Sequence, residues 1–106
     1  MAALKLGLLL STPPSHPSVE TVVQLAQAAL RRGVEVYLYL IDEGVKTATD
    51  QRYINLIDAG VKMSVCAYGC QQYGVPTATI DSRTSLSGLV VLSGIIDGCD
   101  RFLAFT

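Results

Sequence analysis

At 106 residues the chain has the length of one domain and is too short for two, so residues 1–106 read as a single unit. Half of the residues are hydrophobic, 16% are charged and the formal net charge is -1. With no cationic cluster larger than Arg31-Arg32, direct nucleic-acid binding is not expected, because neutralising phosphates needs clustered cations.

Residues 4–10 form an apolar run broken only by Lys5 and Gly7, the pattern of a strand covered on both faces. Residues 11–18 are a loop rich in Pro and Ser, in which Ser15 or Ser18 can cap the next helix. Residues 19–32 then carry Val22, Val23, Ala26, Ala29 and Leu30 on one helical stripe, and Gly33 stops it. Residues 34–41 are a second strand, and a helical crossover between neighbouring strands makes them parallel. A short helical turn is expected over residues 45–48 and a helix over 50–59, with Tyr53, Ile54 and Ile57 inward. Residues 61–65 are a third strand, 66–73 a short helix or helical turn, and 75–82 irregular or briefly extended. A helix over 85–97 carries Leu86, Leu89, Val90 and Ile96, and residues 100–105 are a last strand. This alternation predicts an α/β protein: three layers, doubly wound around a mostly parallel sheet of about five strands.

No apolar stretch approaches the ~20 residues of a membrane span. Residues 1–10 lead directly into Ser11-Thr12-Pro13-Pro14, which is no secretory pattern. Three cysteines, an odd number, make no secreted disulfide framework, so reduced thiols in a cytoplasmic protein are expected. So small and apolar a chain is also expected to cover part of its surface by forming a homo-oligomer.

Ligands and chemistry gather at the carboxyl ends of strands in open α/β sheets. There the segment Cys66-Ala67-Tyr68-Gly69-Cys70 stands out. Cys66 follows a strand directly and opens a helix, whose first turn favours a thiolate. The competing reading is a buried, inert Cys at a strand end. Cys70 is four residues on, with Cβ atoms roughly 5–6 Å apart on a helix. A disulfide wants about 3.8 Å, so a regular helix resists joining them. Two thiols and one His are too few for a structural zinc site, and no metal is expected. A Cys-x5-Arg phosphate loop would need Arg at 72 or 76, where the chain has Gln72 and Pro76. No Walker or dinucleotide fingerprint occurs, so no cofactor is expected. Cys99, flanked by Asp97 and Asp100, reads as structural because neighbouring carboxylates raise a thiol's pKa. His16, the only histidine, stands where a general base could, or is a solvated loop residue. Asp42 reads as a turn residue at a strand end. Tyr68 and Tyr73 either wall a pocket at Cys66 or pack on a neighbouring subunit.

Three stretches together resemble the DsrE/DsrF/TusD family of small sulfur-relay proteins. They are Ala28-Ala29-Leu30-Arg31-Arg32-Gly33-Val34-Glu35-Val36 closing the opening unit, Tyr37-Leu38-Tyr39-Leu40-Ile41-Asp42-Glu43-Gly44-Val45-Lys46, and Gly60-Val61-Lys62-Met63-Ser64-Val65-Cys66 followed by Tyr73-Gly74-Val75. The resemblance implies a persulfide carrier in tRNA thiolation or sulfur oxidation. Its matching cysteine is Cys66, and Cys70, Tyr68 and His16 are possible accessories. Homotrimers or hexamers, and protein donors and acceptors of sulfur, are implied too. Some relatives lack the Cys and act as assembly partners. Cys70 departs from the pattern and leaves open a thiol redox switch with Cys66, and the Pro-rich loop at 11–18 is less family-like.

Overall fold

The computed structural model of the protein describes residues 3–106. Met1 and Ala2, the first residues of the stretch read against a secretory signal and of the single 1–106 unit, lie outside the described residues. Strands Lys5–Leu10 (β1), Glu35–Leu40 (β2), Lys62–Cys66 (β3), Ser85–Ser87 (β4) and Arg101–Phe105 (β5) form one sheet in the order β4-β3-β2-β1-β5. Every pairing is parallel. The helices are Ser18–Arg31 (α1), Gln51–Asp58 (α2), Ala67–Gln72 (α3) and Leu89–Gly98 (α4), with 3-10 helices at Asp42–Thr49 and Thr77–Thr79. The expected doubly wound α/β architecture is the observed one.

The strand order explains how the layers are populated. From β1 to β4 each step moves toward the same edge, so right-handed crossovers put α1, α2 and α3 on one face. The step to β5 goes back across the sheet, which puts α4 on the other face. Strand alternation fits the two environments. Leu8, Leu10, Val36, Leu38, Met63 and Val65 face α1 and its neighbours and are buried. The opposite face carries Tyr39, Ser64 and Ser85 in one row, and Cys66 beside Ser87 in the next. A Cβ on Gly7 would stand 3.1 Å from Ile95 Cγ2 and 3.2 Å from Cys99 Sγ, so α4 lies directly on β1 there.

Four local expectations are corrected. The helix expected over 85–97 starts at Leu89; Ser85–Ser87 is instead the edge strand β4, and Gly88 is the helix N-cap. Three residues are too few for periodicity to separate strand from helix, and only the pairing with β3 decides it. The segment expected to be irregular or briefly extended holds the second 3-10 helix. Neither Ser15 nor Ser18 caps α1: Pro17 is the N-cap, without a side-chain cap bond. In α2 the buried residues are Tyr53 and Leu56, three apart on one line; Ile57 packs half-buried against the core as expected, and Ile54 is half-buried.

In α4 only Ile95 is buried, whereas Leu89, Val90, Val91 and Ile96 are exposed, as is Leu86 in β4. Among the described residues no helix is long and apolar enough to cross a membrane.

Candidate functional site

The site begins where β3 ends. Cys66 is the N-cap of α3, with extended backbone (φ -68, ψ 115), and its Sγ accepts a hydrogen bond from the Gly69 N–H at 3.4 Å. The residue is 7% exposed. Gly69 is required for this close turn: a Cβ there would lie 2.9 Å from Val45 Cγ1, so α3 is seated against the 3-10 segment. That segment is itself fixed on β1. A Cβ on Gly44 would collide with the Leu10 carbonyl oxygen, and Thr47 Oγ1 donates to the Gly44 carbonyl at 2.7 Å. Asp42 enters the segment at φ 52, in the left-handed region, confirming a turn role. The end of β1, the 3-10 segment and α3 are thereby packed in series beside Cys66.

The far side of the sulfur is built by β2 and β4. Tyr39 is fully buried, and its hydroxyl donates toward the carbonyls of Gly88 at 3.1 Å and Ser87 at 3.4 Å. Burial pushes the phenol's pKa up from its ordinary value and the nearness of Cys66 adds to this, while the bond to Ser87 opposes them. Ser87 lies opposite Cys66 in the β3–β4 ladder, and its Oγ is buried with no hydrogen-bond partner. Sequence reading missed both Tyr39 and Ser87. The available signal was parity: Tyr39, Ser64 and Cys66 occupy alternate positions on strands that turn out to be neighbours.

Of the accessory candidates, Cys70 is buried close to Cys66, Tyr68 is on the surface of the helix Cys66 caps, and His16 is at the start of α1. Cys70 is 1% exposed, and burial, then the nearby Cys66, raise its thiol pKa. Both thiols are free. Tyr68 is 70% exposed on α3. Tyr73 is half-buried, with Lys46 Nζ 5.4 Å from its ring centroid. The His16 Nδ1 accepts the Ser18 N–H at 3.0 Å at the start of α1, and His16 makes no hydrogen bond to Cys66. The Cys99 thiol is shifted up as expected, but chiefly by burial; Lys5 opposes the shift, Asp100 adds to it and Asp97 plays no part.

A cavity of about 550 Å³ lies between α4 and the amino-terminal half of the sheet, lined by Tyr37, Lys62, Ser64, Ser85, Ile95 and Cys99 among others. A second, of about 580 Å³, lies beside α1. Cys66 lines neither. Among the described residues no group of three or more His, Cys, Asp or Glu side chains is placed to hold a metal ion.

The pattern of the DsrE/DsrF-like family matches residues 5–105. Comparison with curated proteins finds no match. Among solved structures, the ychN protein from E. coli superposes with a TM-score of 0.83 at 17% identity, over 98% of this chain and 100% of the other. BT1422 from Bacteroides thetaiotaomicron, described as a conserved protein of unknown function, gives 0.79 at 16% identity over 95% and 94%. MTH1491 from Methanobacterium thermoautotrophicum, also described as of unknown function, gives 0.78 at 12% over 94% and 98%. At these identities the likeness is one of fold.

Proposed function

The chain belongs to the DsrE/DsrF-like family, and from that premise we propose that it carries sulfane sulfur as a persulfide on Cys66. The observation that supports this most is the setting of the sulfur. Cys66 closes β3, the strand next to the β4 rim, at its carboxyl end, and a backbone N–H from the following helix points at Sγ. That donor suits a sulfur that passes through anionic forms. The step is a displacement. The Cys66 thiolate attacks the outer sulfur of a donor persulfide R–S–SH, an S–S bond forms, and the donor's own S–S bond breaks. The donor leaves as R–S⁻ and Cys66 becomes Cys–S–SH. Transfer to the acceptor is the same step in reverse roles, with no net oxidation or reduction.

Sulfur donor and acceptor proteins are the proposed partners, a reducing cytoplasm the setting, and tRNA thiolation or oxidation of reduced sulfur compounds the destination. A homotrimer or hexamer is proposed on the exposed apolar residues of β4 and α4, where Val90 is 87% exposed. Tyr68, exposed on α3 just after Cys66, is a docking residue for donor or acceptor in this reading.

Mass spectrometry after incubation with a persulfide donor tests it: wild type gains one sulfur, about 32 Da, and Cys66→Ser does not. Loading of Cys66→Ser at the wild-type level, with loss of loading in Cys70→Ser, would move the site to Cys70. The burial of Cys66 favours a second reading, a non-catalytic assembly subunit. That reading predicts a native Cys66 that resists both alkylation and loading. The redox switch requires an oxidised form two mass units lighter, roughly, and the near-complete burial of Cys70 opposes it.

A further inference from the structure

On the persulfide reading of Cys66, on which this inference rests, the outer sulfur needs a place and partners of its own. The Gly69 N–H serves Sγ, the inner sulfur. A persulfide's second sulfur stands about 2 Å beyond it and, once ionised, carries the charge. An anion in a buried setting needs its own donors.

The other side of Cys66 has a surplus of donors. Three buried hydroxyl oxygens among the described residues lack a hydrogen-bond partner: Thr12 Oγ1, Thr84 Oγ1 and Ser87 Oγ. Of these, Ser87 is the one that the parallel ladder sets directly opposite Cys66. The Tyr39 hydroxyl has partners, but at 3.1 and 3.4 Å they are longer than the usual ~2.7–2.8 Å of an O–H···O bond. One donor is unmatched and the other loosely held; Ser87 stands beside Cys66 in the ladder and Tyr39 one row back on β2, all three on the same face of the sheet.

We infer that Tyr39 and Ser87 form a hydroxyl pair that binds the outer sulfur of a Cys66 persulfide. On loading, the Tyr39 hydroxyl turns from the Ser87 and Gly88 carbonyls to the sulfur, and Ser87 Oγ gains the partner it lacks. Neither group reacts; both hold the sulfur between donor and acceptor. Gly88 is also the N-cap of α4, so loading alters the hydrogen bonding at the start of the helix that carries the exposed Leu89 and Val90.

The test uses full-length protein loaded with a small persulfide, such as glutathione persulfide, then freed of excess donor. Two quantities are followed: the half-life of the added mass on Cys66, and the pH midpoint at which the loaded sulfur reacts with an alkylating agent. Tyr39→Phe and Ser87→Ala each shorten the half-life about tenfold or more and raise the midpoint, as expected for losing a hydrogen bond to a charged group. Ser87→Thr keeps a hydroxyl and restores both. A purely structural role would lower the melting temperature without moving the midpoint, and that result overturns the inference. So does wild-type retention in both single variants. If wild type itself takes no sulfur at Cys66, the carrier reading falls and takes this inference with it. If wild type loads and the variants hold sulfur equally long, the carrier reading stands and this inference alone is wrong. Should Tyr39→Phe fail to fold, Ser87→Ala at the edge strand decides.

Discussion

Gly69→Ala tests whether α3 is seated as tightly as the site requires. The added methyl would lie 2.9 Å from Val45 Cγ1, about 0.6 Å short of a ~3.5 Å carbon–carbon contact. Val45 is fully buried and cannot simply turn away into solvent. Overpacking of this kind costs about 1–3 kcal/mol. Against it stands the gain of replacing Gly by Ala inside a helix, about 1 kcal/mol. The expected net loss is therefore about 1 kcal/mol, read from urea denaturation. Relief of the helix from Val45 also moves the Gly69 N–H, already 3.4 Å from Cys66 Sγ, and so changes the rate at which native Cys66 is alkylated. In a Val45→Ala background the clash is absent, and the same substitution should become stabilising by about 1 kcal/mol. If Gly69→Ala stabilises the wild-type background by that full amount, α3 does not rest on Val45 and the account of why glycine stands there is wrong.

Asp50 accepts the Arg52 N–H at 2.9 Å as the N-cap of α2, so Asp50→Ala should lower stability at neutral pH by about 1 kcal/mol. The hydrogen bonds from the Arg52 side chain hold the Asp50 carboxyl below its usual pKa. A carboxylate shifted down stabilises the fold above its unfolded pKa, near 4, and loses that contribution as pH falls through the folded value. The gap between wild type and Asp50→Ala, measured by denaturation from pH 7 down to pH 3, should therefore narrow on the acid side. Val90→Lys places a charge where the side chain is 87% exposed in the single chain, so each chain should still fold, and the melting temperature should fall by no more than subunit association had contributed. Sedimentation should nevertheless show a smaller species than wild type; an unchanged mass would mean that the α4 face is not the interface.

The sheet was legible because four of its strands are long enough to carry their own pattern. Lys62-Met63-Ser64-Val65-Cys66 alternates polar and apolar, and the two parities proved to be two different faces. What that alternation signified was not legible, since it depends on only one helix, α4, returning across that face. β4 was misread because Ser85-Leu86-Ser87 becomes a strand only through its pairing with β3. Cys66 was legible as a strand-end cysteine before a helix. Its neighbours Tyr39 and Ser87 were not, because register between strands twenty or more positions apart sets them beside it. The reading of His16 as a base candidate came from loop position alone, and its ring is occupied in bonding the first amide of α1.

The two rims of the sheet differ in length, three residues at β4 against five at β5. An outer strand offers unpaired amides and carbonyls on which another chain can add a strand. The longer template, β5, sits at the opposite edge of the sheet from β4 and is separated from β3 by β1 and β2. Strand addition by a second chain has more backbone to grip at β5. A strand added there would be separated from β3, and so from Cys66, by β5, β1 and β2.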